Sequence, residues 1–440
     1  MLKGDKKTIK AWIFYDWANS VYNLVVSSAI FPIFYDAVTT KHYLNRMYGN
    51  SEQALKEGEQ VKVLFYGMEL SNSALFSFVL SASFLVVSIL SPMLSGIADY
   101  TGSKKRFMRF FCYVGAFSCF TLFYFDPNYL EWGMMSVFFA SIGFWNSLVF
   151  YNAFLPEISE SKDFDRISAK GFSMGYFGSM ILLIICLIAM KGFDMPAPWC
   201  FVLVSIWWVG FSQITFFRLP NNVYHKKPDK NYIWKGFIEL KKVYQEFRHI
   251  KRLKIFLLSF FFYNTGVQTV MLMATIFANK EIEWEEGKGA TGLIISILLI
   301  QILGALGAFL MSKISSKVGN IRTLILSISI WLLLCISAYF IKKPIEFYLL
   351  AAGVGLVMGG IQAISRSTYS KFLPETTDHA SYFSFYDATE KIGIVCGVFF
   401  FGFSEIYFGS IRFSVISISI FFFIGLIIML FLPKYQSVEK

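Results

Sequence analysis

Long apolar runs separated by short polar loops recur along the whole chain and leave it little choice of environment. Twelve of them lie at 11–38, 71–96, 107–126, 132–155, 171–190, 199–218, 254–279, 289–312, 322–341, 346–370, 381–403 and 410–432. Each supplies about the 20 apolar residues that a helix needs to cross a hydrocarbon core of about 30 Å. Within lipid every backbone N–H and C=O must be satisfied inside the segment, so the runs are read as helices. The expected fold is an all-α integral membrane protein of twelve transmembrane helices. Charged residues make up only 16% of the chain and fall mostly between the runs. A net charge of +11 would suit a nucleic-acid partner in a soluble chain, but here it reports sidedness instead, and no nucleic-acid partner is expected. With the N-terminus inside, and residues at the very ends of spans counted with the adjoining loop, 28 of the 40 Lys and Arg fall on its side and ten on the other, with Arg366 and Lys391 well inside spans. That asymmetry places both termini in the cytoplasm.

The chain also repeats itself. The stretch Tyr151 to Glu157 returns 218 residues later as Tyr369 to Glu375, in each case closing an apolar run. Gly102 and the basic loop after it are echoed at Gly319. Two echoes at nearly one offset predict two related halves: a six-helix bundle over 1–218, a basic linker over 219–253 and a second six-helix bundle over 254–440. The linker reads as an amphipathic segment on the cytoplasmic leaflet, attracted to anionic lipid headgroups. Residues 39–70 are polar and mixed in charge, and a partly helical external hairpin is expected there.

Polar residues inside spans are costly unless they face protein or a water-filled cavity. Asp16, Asn19, Ser20, Asn23 and Ser27 share one face of an ideal α-helix. Asn264 and Gln268 lie one turn apart in the seventh span, and Gln362 and Arg366 share a face of the tenth. Asn19, Asn23, Asn264, Gln268 and Gln362 are candidate neutral ligands for a solute, and Arg366 a candidate for its carboxylate. Asp387, Glu390 and Lys391 cluster in the eleventh span and read as a structural charge network, with Arg366 a further partner for Asp387 or Glu390. Asp16 has no cation on its own face nearer than Lys10, which makes it the candidate proton carrier. Interhelical hydrogen bonding is the plainer use of each of these residues. Glycines 171, 175 and 178 form a small face suited to close helix packing.

Several chemistries are disfavoured. The six cysteines form no C-x-x-C pair and sit in or beside apolar runs, so they read as core residues, and no metal or other cofactor is expected. All four histidines, His42, His225, His249 and His379, fall in expected loops, which denies a buried nucleophile–base pair and argues against a membrane enzyme. The G-x-S-x-G at Gly171 to Gly175 opens a membrane helix with no strand before it.

Six spans, a basic linker and six more resemble the major facilitator superfamily, whose halves are pseudo-symmetric. The loop from Gly96 to Arg106 resembles that superfamily's cytoplasmic signature: glycines Gly96 and Gly102, Asp99 and a basic run ending in Arg106. Asp99 is expected to latch the cytoplasmic gate by accepting bonds from a helix N-terminus or a basic side chain of the other half. Ser316 stands at the matching position of the second half, where no equivalent latch is expected. Phe14 to Asn23, Tyr151 to Glu157 with Arg166 to Gly171, Tyr263 to Thr269 and Gly359 to Ser367 together resemble the vacuole effluxer-like, autophagy-related family. Thr265 departs from the acidic residue expected in that family's seventh span, so no ion coupling is carried over from there. The resemblance implies a secondary transporter of a small polar solute, an amino acid or related metabolite, working by alternating access. Efflux, proton-coupled uptake and a lipid flippase or scramblase remain the alternatives. A monomer in the bacterial inner membrane is expected.

Overall fold

The computed structural model describes residues 3–49, 60–224, 226, 231–285 and 288–433. His225 and the centre of the 39–70 segment lie outside these residues, as does part of the linker. Among the described residues twelve helices are long and apolar enough to cross a membrane: Lys6–Tyr48, Asn72–Thr101, Lys104–Tyr124, Pro127–Ile158, Ser161–Gly192, Pro198–Arg218, Lys251–Glu281, Gly289–Val318, Asn320–Ala338, Pro344–Phe372, His379–Phe408 and Ile411–Leu430. They are the first to twelfth spans below, and every expected run falls on one. The face of the bundle at which the first span begins and the twelfth ends is termed the terminal face below.

Local chemistry sets the helix ends. Asp5 caps the first span, its carboxylate accepting from the Thr8 amide at 3.0 Å. Gly102 ends the second span at φ 68°, a left-handed conformation that an L side chain resists. The first span departs from the expectation in two ways. It stays helical to Tyr48, after which only a hairpin, Lys62–Phe65 paired with Met68–Ser71, precedes the second span among the described residues. It also turns π-helical over Tyr22–Ile30. A π stretch bonds i to i+5 and shifts the phase of every following side chain. On the expected polar face Asn19 is fully buried, whereas Asn23, one turn further on, is exposed.

Glycines let helices cross with backbones in contact. A Cβ at Gly359 would collide with the Gly304 carbonyl, and one at Gly307 with that of Leu356, locking the eighth and tenth spans together. Gly171, Gly175 and Gly178 lie against Asp16, Ser20 and Trp17, so the small face of the fifth span seats the first. The linker contains a helix, Tyr232–His249, tucked under the second span. There a Cβ at Gly96 would strike the Gly236 carbonyl. Five cysteines are buried as expected, but Cys396 is exposed.

Candidate functional site

The polar residues collect along the seam between the halves, in three layers. The layer nearest the terminal face is built around Asp99. Its carboxylate accepts from the Ala380 amide at 3.2 Å and the Ser381 amide at 2.6 Å, the first turn of the eleventh span. The orphan N–H groups of a helix start favour an anion there. Lys104 lies 2.9 Å from Asp99, also pairs with Glu157, and reaches the Thr377 carbonyl at 3.3 Å. His379 opens the eleventh span, buried, with Nδ1 3.3 Å from Glu157. Expecting all histidines in loops was wrong: His42 lies in the helix of the first span, His249 ends the linker helix and His379 opens the eleventh span, where polar flanks hid the helical turns. Arg106 is likewise corrected: it is exposed, and Lys104 is the cation of this layer. Beside it Lys226 pairs with Asp378 at 3.2 Å. Burial opposes ionisation of Asp378, but the Lys226 ammonium, a hydrogen bond with Glu239 and the Lys242 charge together hold the carboxyl below its usual range.

The second half has a counterpart with the polarity reversed. Ser316 turns back to the Lys313 carbonyl and is exposed, as its lack of charge suggests. Yet Asp165, at the start of the fifth span, accepts from Ser315 at 3.0 Å and Asn320 at 2.7 Å, and Lys371 lies 2.8 Å away. The carboxylate of this contact comes from the first half, so looking for an acid near Ser316 could not find it.

Arg366 makes the second layer, about 9 Å along the tenth span from Phe372 at 1.5 Å per residue. Both its terminal nitrogens lie 3.4 Å from Asp16 Oδ2. Tyr151 donates to the same oxygen at 2.7 Å. The guanidinium also donates to Ser168 Oγ and O at 2.9 Å and to Asn152 at 3.2 Å, with Trp12 and Phe172 rings against it. Two expectations are corrected. Asp16 is not isolated from cations, and Arg366 pairs with it rather than with Asp387 or Glu390. Reading each helix alone could rank only same-face neighbours, whereas this partner arrives from 350 residues away, admitted where Gly171 leaves room.

The third layer lies deeper, about 18 Å along the eleventh span from His379. Lys391, fully buried, has its Nζ 3.3 Å from both Asp387 and Glu390. Ser91 donates to Asp387 at 3.3 Å, Gln268 to Glu390 at 2.6 Å, and the Trp145 ring centroid lies 3.3 Å from Lys391 Nζ. Gln362 accepts from Tyr176 at 2.8 Å, and Gln301 from Ser179 at 3.4 Å. The amide nitrogens of Asn19 and Asn264 are buried without a hydrogen-bond partner. Among the described residues, the hydrogen bonds that join the halves run from the terminal face up to this depth and no further.

Comparison with known proteins fits this arrangement. The family described as vacuole effluxer Atg22 like matches residues 4–440. An MFS-type transporter of Bacillus subtilis, YxiO, is 29% identical over all of this chain and 98% of its own length. Autophagy-related protein 22 of Saccharomyces cerevisiae is 24% identical over all of this chain and 92% of its own. In shape the chain is similar to the crystal structure of the human organic anion transporter MFSD10. The TM-score is 0.69, with 97% of this chain and 100% of that one covered at 11% identity.

Proposed function

Because the chain belongs to the vacuole effluxer Atg22-like family of major facilitator transporters, we propose that it exports a small polar solute, an amino acid or related metabolite. One observation carries the alternating-access reading: the halves are bonded together only from the terminal face to mid-depth among the described residues. That is how one end of a rocking transporter looks when shut. The excess of Lys and Arg on that face makes it the cytoplasmic one. The Asp99 and Asp16–Arg366 layers then act as two tiers of one gate. Arg366, with its donors occupied, belongs to the gate in this state. The unpaired amides of Asn19 and Asn264, with Asn23, Gln268 and Gln362, are the candidates for the solute.

The linker helix suits the inner leaflet, presenting Ile233, Trp234 and Ile238 outward beside a strongly basic sequence. Solute counterflow tests the reading. Proteoliposomes preloaded with an unlabelled amino-acid mixture should take up labelled amino acids only when the protein is present. If no member of the mixture exchanges, the amino-acid assignment fails.

A further inference from the structure

We propose that the Asp387–Glu390–Lys391 cluster is a subsite for a primary ammonium group on the cargo, with Glu390 as the residue that receives it. The inference rests on the transport reading above and names the chemical group by which the cargo would be recognised.

The starting point is charge balance. Asp16 and Arg366 form a buried pair that sums to zero, and the arginine is bonded on every side. The deeper cluster has two carboxylates and one ammonium, a formal surplus of one negative charge. Among the described residues Lys391 is the one cation within ion-pair reach of either acid. Its Nζ is fully buried between them, yet makes no directed hydrogen bond. A network kept only for stability has little reason to retain an uncompensated charge at this depth, where an unpaired ion is expensive.

The surplus resides on Glu390. Its side chain is 15% exposed, against 8% for Asp387 and none for Lys391. Oε1 accepts only from Gln268, and Oε2 faces Lys391. A carboxylate offers about four acceptor positions, so capacity remains for the N–H donors of an ammonium group. The Trp145 ring face is taken by the Lys391 ammonium, which fixes that cation and leaves Glu390 as the acid that can turn to a second one. The walls come from both halves: Ser91 and Trp145 from the first, Gln268 and the acids from the second. A cation held here would therefore report its presence to the surfaces that must separate and rejoin.

The test measures the thermal unfolding midpoint of the purified full-length protein in detergent. The probes are free amino acids, their carboxamides (ammonium without carboxylate), N-acetyl amino acids (carboxylate without ammonium), and sodium chloride. Free amino acids and carboxamides should raise the midpoint, while N-acetyl forms and sodium should not. Glu390→Gln should weaken the apparent affinity for the amines about tenfold or more, and Glu390→Asp should retain it. The proposal is overturned if N-acetyl forms or sodium match the amines, if no amine acts, or if Glu390→Gln responds like the parent. Should Glu390→Gln fail to insert, the amine against N-acetyl comparison on the parent protein still decides. Amine binding without counterflow would remove the transport reading and leave the subsite standing. Counterflow with an indifferent Glu390→Gln would do the opposite.

Discussion

Asp16 shows how much a single side chain's meaning depends on what crosses it. Within its own helix it has no nearby cation, which suggests a carboxyl free to take and release a proton. In the folded protein Arg366 and Tyr151 both bind its Oδ2. Removing one member of a buried pair leaves the other uncompensated and costs about 3–5 kcal/mol. Because the pair joins the halves, Asp16→Asn should withdraw that stabilisation only from the state closed at the terminal face. Cysteines introduced on the terminal-face side of the seam should then react faster with a membrane-impermeant maleimide on inverted vesicles. Unchanged labelling would show that the pair does not hold the gate. Arg366→Lys should not substitute, since a lysine cannot reproduce the planar fork that reaches Asp16, Ser168 and Asn152 together.

At the scale of elements, the twelve spans were legible because a run long and apolar enough to cross lipid admits few other structures. What the runs could not reveal were features that conserve hydrophobicity while changing phase or partner. The π stretch at Tyr22–Ile30 changes the helical phase of the residues beyond it without altering composition. Glu157 and His379 meet across 222 residues, and nothing near either one marks the other. Asp99 was visible as an acceptor in a basic loop, and the structure supplies its donors at the start of the eleventh span. Asp99→Asn should leave the protein inserted but slow solute exchange, and normal turnover by the purified variant would refute the latch. Gly96→Val should act differently. With no space before the Gly236 carbonyl, the linker helix must move away and lose the support that keeps it folded. Limited trypsin digestion should cut faster within Tyr232–His249 while the spans stay intact, and an unchanged cleavage pattern would mean the helix is not held at this crossing.

For the molecule as a whole, orientation is the first quantity to check. A reporter fused to the C-terminus should read as cytoplasmic, and a cysteine at Gly67, in the hairpin between the first and second spans, should label from outside. Labelling of both ends from outside would overturn the assignment. The halves repeat in sequence, yet they are not equivalent in use. Glu157 is buried against Lys104, while its echo Glu375 is exposed, and the two carboxylate contacts at the terminal face both draw their acid from the first half. The linker helix adds to this inequality. It meets the second span backbone to backbone at Gly96, but touches the eleventh through side chains: Tyr382 to Glu246 at 3.3 Å, and Phe385 beside Phe247. A joint between backbones tolerates little sliding, whereas side-chain contacts can release in succession. When the terminal face opens, the helix should ride with the first half and peel from the second, bending the chain near Ile250, where the helix gives way to the seventh span. The moving bodies are then unequal, one burdened with an extra cytoplasmic beam, and the fault line runs beside the chain's midpoint rather than through it.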